Sequence, residues 1–156
     1  MAETANKNKE VTFSLEKIYL KDVSYEAPAA PEVFTQTQAP QVGVQLGIEH
    51  APVPSRDNYH EVTLTVGVTA KSAEKTLFLV EVQQCGVFQL SGLDGDALTK
   101  ALQIGCAYVL LPFAREAVND LVTKGGFPQL LLNPVNFEAL YEQKQAALKQ
   151  RAQMDS

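Results

Sequence analysis

The chain has no tryptophan, and only 2 cysteines and 2 histidines among its 156 residues. Each scarcity removes a class of chemistry. Cys85 and Cys106 form no CxxC pair and no disulfide framework, so both are expected to be buried free thiols in a reducing compartment. His50 and His60 lie in the turn EHAPVPSRDNYHE beside Glu49, Asp57 and Glu61, but their spacing matches no zinc pattern and no metal site is expected. Basic residues are outnumbered 13 to 18, and the net charge of −5 argues against a phosphate backbone as partner. No glycine-rich phosphate loop follows a strand, and neither cysteine has a base and an orienting group in sequence, so no catalytic residue is named and no enzyme is expected. Asp94 and Asp96 in DGD lack the further oxygens of a calcium loop and read as helix caps. The apolar run from Ile104 to Ala114 is broken by Pro112 and closed by Arg115, short of the roughly 20 residues that span a bilayer. MAETANKNKEV has no apolar core, so no secretory signal is expected either. Together these absences predict a cytoplasmic protein without cofactor, with no nucleic-acid partner and no direct membrane insertion.

What is present suits one self-sufficient domain, since 46% of the residues are apolar. A polar tail over 1–10 precedes a body over 11–142, and 143–156 forms a helix end and flexible tail poor in large apolar residues. Val11, Phe13, Leu15 and Tyr19 alternate with polar residues as a strand with one covered face. A proline-rich crossover over about 25–41 follows, held out of ladder pairing by Pro28, Pro31 and Pro40. Val42–Ile48, Val62–Val68 and Leu77–Leu90 read as three further strands, the last two joined as a hairpin through AKSAEK. Helical spacing then begins near Asp94 or Asp96, is kinked or restarted at Pro112, and stops at Gly125 and Gly126. Asn133, Pro134 and Asn136 announce a last helix with Phe137, Leu140, Tyr141 and Leu148 on one stripe. The fold class is α+β, a four-stranded antiparallel sheet with long carboxyl-terminal helices on one face.

Two placements do not fit such a layer. Alternation sets Phe78, Val80 and Val82 on one side of the last strand, and Leu77, Leu79 and Glu81 on the other, so both faces carry apolar residues. A leucine beside a carboxylate on the uncovered face suggests a docking surface. The stretch IGCAYVLLPFA is apolar on nearly every side, which a helix covering a single sheet does not need and a shared core does.

FSLEKIYLKDVSYEAPAAPEVF (13–34), FLVEVQQCGVFQL (78–90) and LLPFAREAVNDLVTKGGFPQLLLNPVNFEALY (110–141) resemble, in order and spacing, the bacterial protein-export chaperone family SecB. The resemblance implies a homotetramer, a dimer of dimers with helices sandwiched between two sheets and Val80 and Val82 at or near the oligomer interface. It implies an ATP-independent chaperone that keeps unfolded preproteins translocation-competent and delivers them to the motor SecA. Motif by motif it carries SecA binding onto Asp22, Glu26, Leu79 and Glu81. The client-binding groove falls on Tyr25, Val33, Phe34, Phe127, Phe137, Leu140 and Tyr141.

The chain departs from the pattern in three places. Gln38 stands near the position where many relatives carry a tryptophan, Cys106-Ala107-Tyr108 replaces a proline-containing string, and the tail is rich in Lys and Gln rather than acidic. The first and last of these open a second reading, a SecB-like adaptor or small-ligand-binding protein serving a narrower set of partners.

Overall fold

The computed structural model describes residues 10–35 and 39–155; the amino-terminal tail up to residue 9 and Gln38 lie outside the described residues. One antiparallel sheet runs in the order β1-β4-β3-β2, with β1 at Thr12–Glu26, β2 at Gln41–Pro52, β3 at Tyr59–Ser72 and β4 at Lys75–Ser91. A helix, α1, spans Gly95–Lys124 and packs on β4 and β3. The last element, α2, spans Phe137–Met154. This is the expected α+β layer, with β1 and β2 as its open edges.

The β1 strand continues past Leu20 to Glu26, because two register shifts, between Leu15 and Lys17 and between Leu20 and Asp22, re-aim its side chains. Apolar residues therefore face the helix side at Phe13, Leu15, Ile18, Leu20, Val23 and Tyr25, a spacing that alternates between two and three. Strict period-2 reading put Tyr19 with Phe13 and Leu15. The shift moves it to the outer face, opposite Cys85. A third shift, at the end of the β3–β4 hairpin, pairs Ala70 with Phe78 but Lys71 with Thr76. Leu77 is the extra residue, and it turns into the core at 6% exposure instead of joining Leu79 outside.

The core is the inner face of β3 and β4 under α1. Val62, Leu64, Val66 and Val68 of β3 and Phe78, Val80, Val82 and Phe88 of β4 are buried against Leu102, Cys106, Leu110, Ala114, Val118 and Val122 of the helix. At roughly 25 cal/mol per Å² of apolar area removed from water, each large side chain here stabilises by about 1.5–3 kcal/mol. Gly86 lets the helix approach, since a methyl there would lie 2.8 Å from the Phe88 ring and 3.1 Å from Leu110.

The helix passes through Pro112 without a restart. Pro112 is exposed, so the bond it withholds from the Tyr108 carbonyl faces water. A π-helical turn at Ala101–Gly105 carries the buried Gln103. Asp94 occupies the N-cap in extended conformation but makes no side-chain cap hydrogen bond, so the capping expected of DGD is positional only. Over its full 30 residues α1 is long and apolar enough to cross a membrane by length and composition, which the shorter run in the sequence concealed. Its buried face is spent on the sheet. Asn136 does cap α2, its side chain accepting from the Ala139 amide at 3.0 Å.

Leu110→Ala should cost about 2–5 kcal/mol in urea unfolding, since it opens a cavity at the centre of the helix–sheet contact. A loss below about 1 kcal/mol would place the core elsewhere.

Candidate functional site

The sheet's outer face carries one of the two groups of residues named from the sequence. Pairing sets Glu26 opposite Leu79, Ser24 opposite Glu81 and Asp22 opposite Gln83. Directly opposed side chains share a face and lie about 5 Å apart at Cβ, so Asp22, Glu26, Leu79 and Glu81 form one patch on two strands. All four are exposed, Leu79 at 38%. Among the described residues no ion pair neutralises the three carboxylates. Leu79 is thus an apolar contact ringed by uncompensated negative charge, a surface suited to a basic partner.

The same face continues into a cluster that sequence reasoning missed. The Tyr19 hydroxyl donates to a Glu61 carboxylate oxygen, and Lys21 Nζ donates to Glu61 Oε1 at 3.1 Å. These two donors hold Glu61 below the usual carboxylate range, the Tyr19 bond contributing most. Burial, then Glu61, pushes the Tyr19 phenol up. Beneath them Cys85 shares a hydrogen bond with Thr63 at 3.2 Å. The two-then-three spacing of β1 was the available signal, because it alone puts Tyr19 outside.

The helix side holds the second group, and the structure divides it. Near the end of α1 the rings of Tyr25, Phe78, Phe127 and Phe34 follow one another, with centroid separations of 6.3, 5.0 and 5.2 Å. The helix stop builds this cluster. Gly126 takes φ 88°, its amide donates to the Thr123 carbonyl at 3.1 Å, and the Phe127 amide donates to Val122 at 3.2 Å. This paired closure swings Phe127 back over the last turn. Gly125 is required for space, since a side chain there would collide with the Tyr25 hydroxyl, which is buried without a partner. Phe34 is 49% exposed and offers a ring to solvent, whereas Val33 is buried at 5% and packs beneath. Phe78, at the centre, is placed by the sequence only on one face of its strand with Val80 and Val82.

Phe137, Leu140 and Tyr141 lie apart from those rings. Phe137 is fully buried, edge-on to Tyr108 with centroids 4.9 Å apart, and presents no wall. Leu140 and Tyr141 are half-buried and line a cleft of about 540 Å³ with residues of β2. A second cavity of about 350 Å³ runs between Val44 and Leu46 of β2 and the extended segment 132–136, and Leu46 and Leu140 border both. The β2 contribution was not foreseen, although Val42, Val44 and Leu46 alternate as a half-exposed edge.

Val80 and Val82 are buried at 3% and 0% inside the single chain, opposite Val68 and Val66, so no surface of theirs is left for another subunit. Apolar side chains that remain open include Phe13, Leu15, Leu20 and Val23 on β1, and Tyr108 and Phe113 on α1. Cys106 is enclosed, and burial pushes its thiol up to about 12. Burial lowers both histidines, with His60 and Lys144 adding to the effect on His50. No group of three or more His, Cys, Asp or Glu side chains among the described residues is placed to hold a metal.

A family model described as "Preprotein translocase subunit SecB" matches residues 6–148. The chain is 51% identical to "Protein-export protein SecB" of Halorhodospira halophila, over 88% of this chain and 79% of that one. It is 45% identical to the protein of that description in Methylobacillus flagellatus, over 94% and 93%. The one in Hahella chejuensis is 46% identical, over 98% and 94%. A solved SecB-like chaperone of Mycobacterium tuberculosis, in complex with a peptide from an antitoxin, shares the fold at a TM-score of 0.66 and 17% identity, over 86% and 95% of the two chains.

Gly125→Ala should destabilise by about 1–3 kcal/mol, and the same change should cost less in a Tyr25→Val background, which removes both the hydroxyl and the ring carbons that the added methyl would strike. Equal cost in both backgrounds, read by urea unfolding, would dissociate the two residues. Because Glu61 titrates lower folded than unfolded, its stabilisation is present above the unfolded value near 4.5 and is lost as pH falls through the folded one. The stability gap between wild type and Glu61→Gln should therefore be open at pH 6 and close in acid. A gap constant from pH 6 to 3 would contradict this.

Proposed function

The chain belongs to the SecB family of protein-export chaperones, and from this we propose that it binds unfolded preproteins in the cytoplasm, keeps them competent for translocation and delivers them to the motor SecA. One observation supports the two-sided reading most directly: apolar and aromatic groups open on the helix side, while Asp22, Glu26 and Glu81 surround Leu79 on the other.

A protein that retains many different clients gains by binding through burial rather than directional hydrogen bonds. Phe34 and Phe127 supply an aromatic wall at one end of α1, and Leu140 and Tyr141 with Val44 and Leu46 of β2 supply a second apolar one. Two weak sites on one extended segment add through effective concentration, and further subunits multiply the effect. Because only the unfolded client exposes matching segments, binding opposes its folding by mass action, with no nucleotide needed. The acidic face is suited to basic residues of the motor, in an interaction screened by salt.

The assembly belongs to the same proposal, a homotetramer built as a dimer of dimers. The apolar side chains left open on the β1 edge and on the far side of α1 support it, since a monomer would leave them in water. Val80 and Val82 act here as the floor beneath α1 rather than as contact residues.

Stoichiometric assembled protein should slow the refolding of a slow-folding preprotein, and an unchanged refolding rate would defeat the chaperone reading. Glu26→Gln and Glu81→Gln should each weaken SecA binding severalfold at low salt while leaving client retention intact. Parallel loss of both activities would mean that the carboxylates support the fold. Sedimentation at micromolar concentration should give four copies.

A further inference from the structure

His50 and His60 are separated in the chain by a whole turn, and no ligand spacing connects them there. The strand register does. His50 pairs with Val62 and Pro52 with His60, so the two imidazoles are diagonal neighbours on one face of β2 and β3, their positions about 7–8 Å apart. That face is the helix side, since Val62 and Phe88, the partner of His60 on β4, are fully buried in the core. We propose that this pair is a binding site for one divalent ion of the Ni²⁺ and Zn²⁺ class, held by a nitrogen of each ring, with water completing its coordination. The site lies outside the surfaces given above to client and motor.

The frame is rigid before any ion arrives. The Val53 amide donates to the Tyr59 carbonyl at 2.9 Å across the turn, and the Arg56 guanidinium stacks 3.9 Å from the centre of the Tyr59 ring. Asn58 takes φ 68°, and its carbonyl accepts from the Leu90 amide at 2.8 Å, which ties the turn to β4. A chelate on strands fixed in this way loses little freedom on closing. The donors are open to ligation. His60 Nδ1 is buried with no hydrogen-bond partner, a cost that a bound ion removes. His50 is exposed and gives the ion a way in from solvent. Burial holds both rings below the ordinary imidazole range, and the His60 charge adds to the effect on His50, so both are neutral at pH 7. Glu49 and Glu61 alternate to the outer face, where Tyr19 and Lys21 engage Glu61. The donor set is therefore nitrogen without carboxylate, which selects imidazole-seeking ions over Mg²⁺ and Ca²⁺. Lys144 of α2 also reaches His50, and its charge opposes a bound cation.

Calorimetry at pH 7 on the full chain, carrying no histidine tag, should show one Ni²⁺ or Zn²⁺ bound per chain and no binding of Mg²⁺. His50→Asn and His60→Asn should each weaken Ni²⁺ about tenfold or more, because a single imidazole has no second donor at high effective concentration. His50 is exposed on an edge strand, so its variant keeps the fold and reads the site even where His60→Asn perturbs the core. Lys144→Gln, which removes neither ring, should tighten Ni²⁺ about twofold. The ion should raise the thermal midpoint of the wild type and of neither histidine variant, since it ties β2 to β3 in the folded chain alone. Binding should weaken as pH falls through the imidazole range. No binding at pH 7, wild-type affinity in His50→Asn, or loss of binding in Cys85→Ser or Cys106→Ser with both histidines present would each overturn the site, the last by moving the ion to a thiol.

Discussion

Everything in this molecule depends on α1 lying against the inner face of β3 and β4. The contact is close because Gly86 offers no side chain beneath Leu110, and it encloses valines and leucines from both elements at almost zero exposure. It also consumes only the middle of the sheet. The edge strands β1 and β2 and the far side of the helix are left with apolar side chains that a single chain cannot cover. The surfaces proposed for a client groove and a subunit interface are thus what remains of a core laid down asymmetrically.

The same contact separates two kinds of surface. A sheet covered on one side has an outer face free to be polar, and register then decides which polar groups meet there. Asp22, Glu26 and Glu81 come together because β1 and β4 pair in a register offset by two bulges. The open aromatic surface stays on the helix side, where the closing turn after α1 brings Phe127 to Phe78 and Phe34. Only at the open edge of β2 do the faces meet, around Glu81, Leu140 and Tyr141.

Much of this was legible in the residues. Alternation in β2, β3 and β4, the glycine stop of α1 and the Asn136 cap of α2 are local signals set by backbone geometry, and each marks a real element. Strict alternation failed at Tyr19 and at Leu77, because a bulge adds one residue to a strand and inverts the side chains beyond it. Pro112 misled in the opposite direction, since losing one hydrogen bond on a solvent-facing turn does not break a helix anchored by its other side. Of the proposed groove, Tyr25, Phe34 and Phe127 come together, while Val33 and Phe137 fill the interior, because a groove aromatic and a core aromatic read alike until their neighbours are known.

By itself the sequence determined the class of protein. Its periods set sheet before helix, and its motifs in KDVSYEAP, FLVEV and FPQLLLNPVNF mark its family, since such features reside in consecutive residues. The tertiary structure decided which residues share a surface. Glu26 and Leu79 are opposite one another although far apart in the chain, Leu77 is core although it neighbours an exposed strand position, and Glu81 borders both the acidic outer face and a cleft. Those outcomes turn on register and bulges. They are properties of strand pairs, and no single strand's sequence contains them.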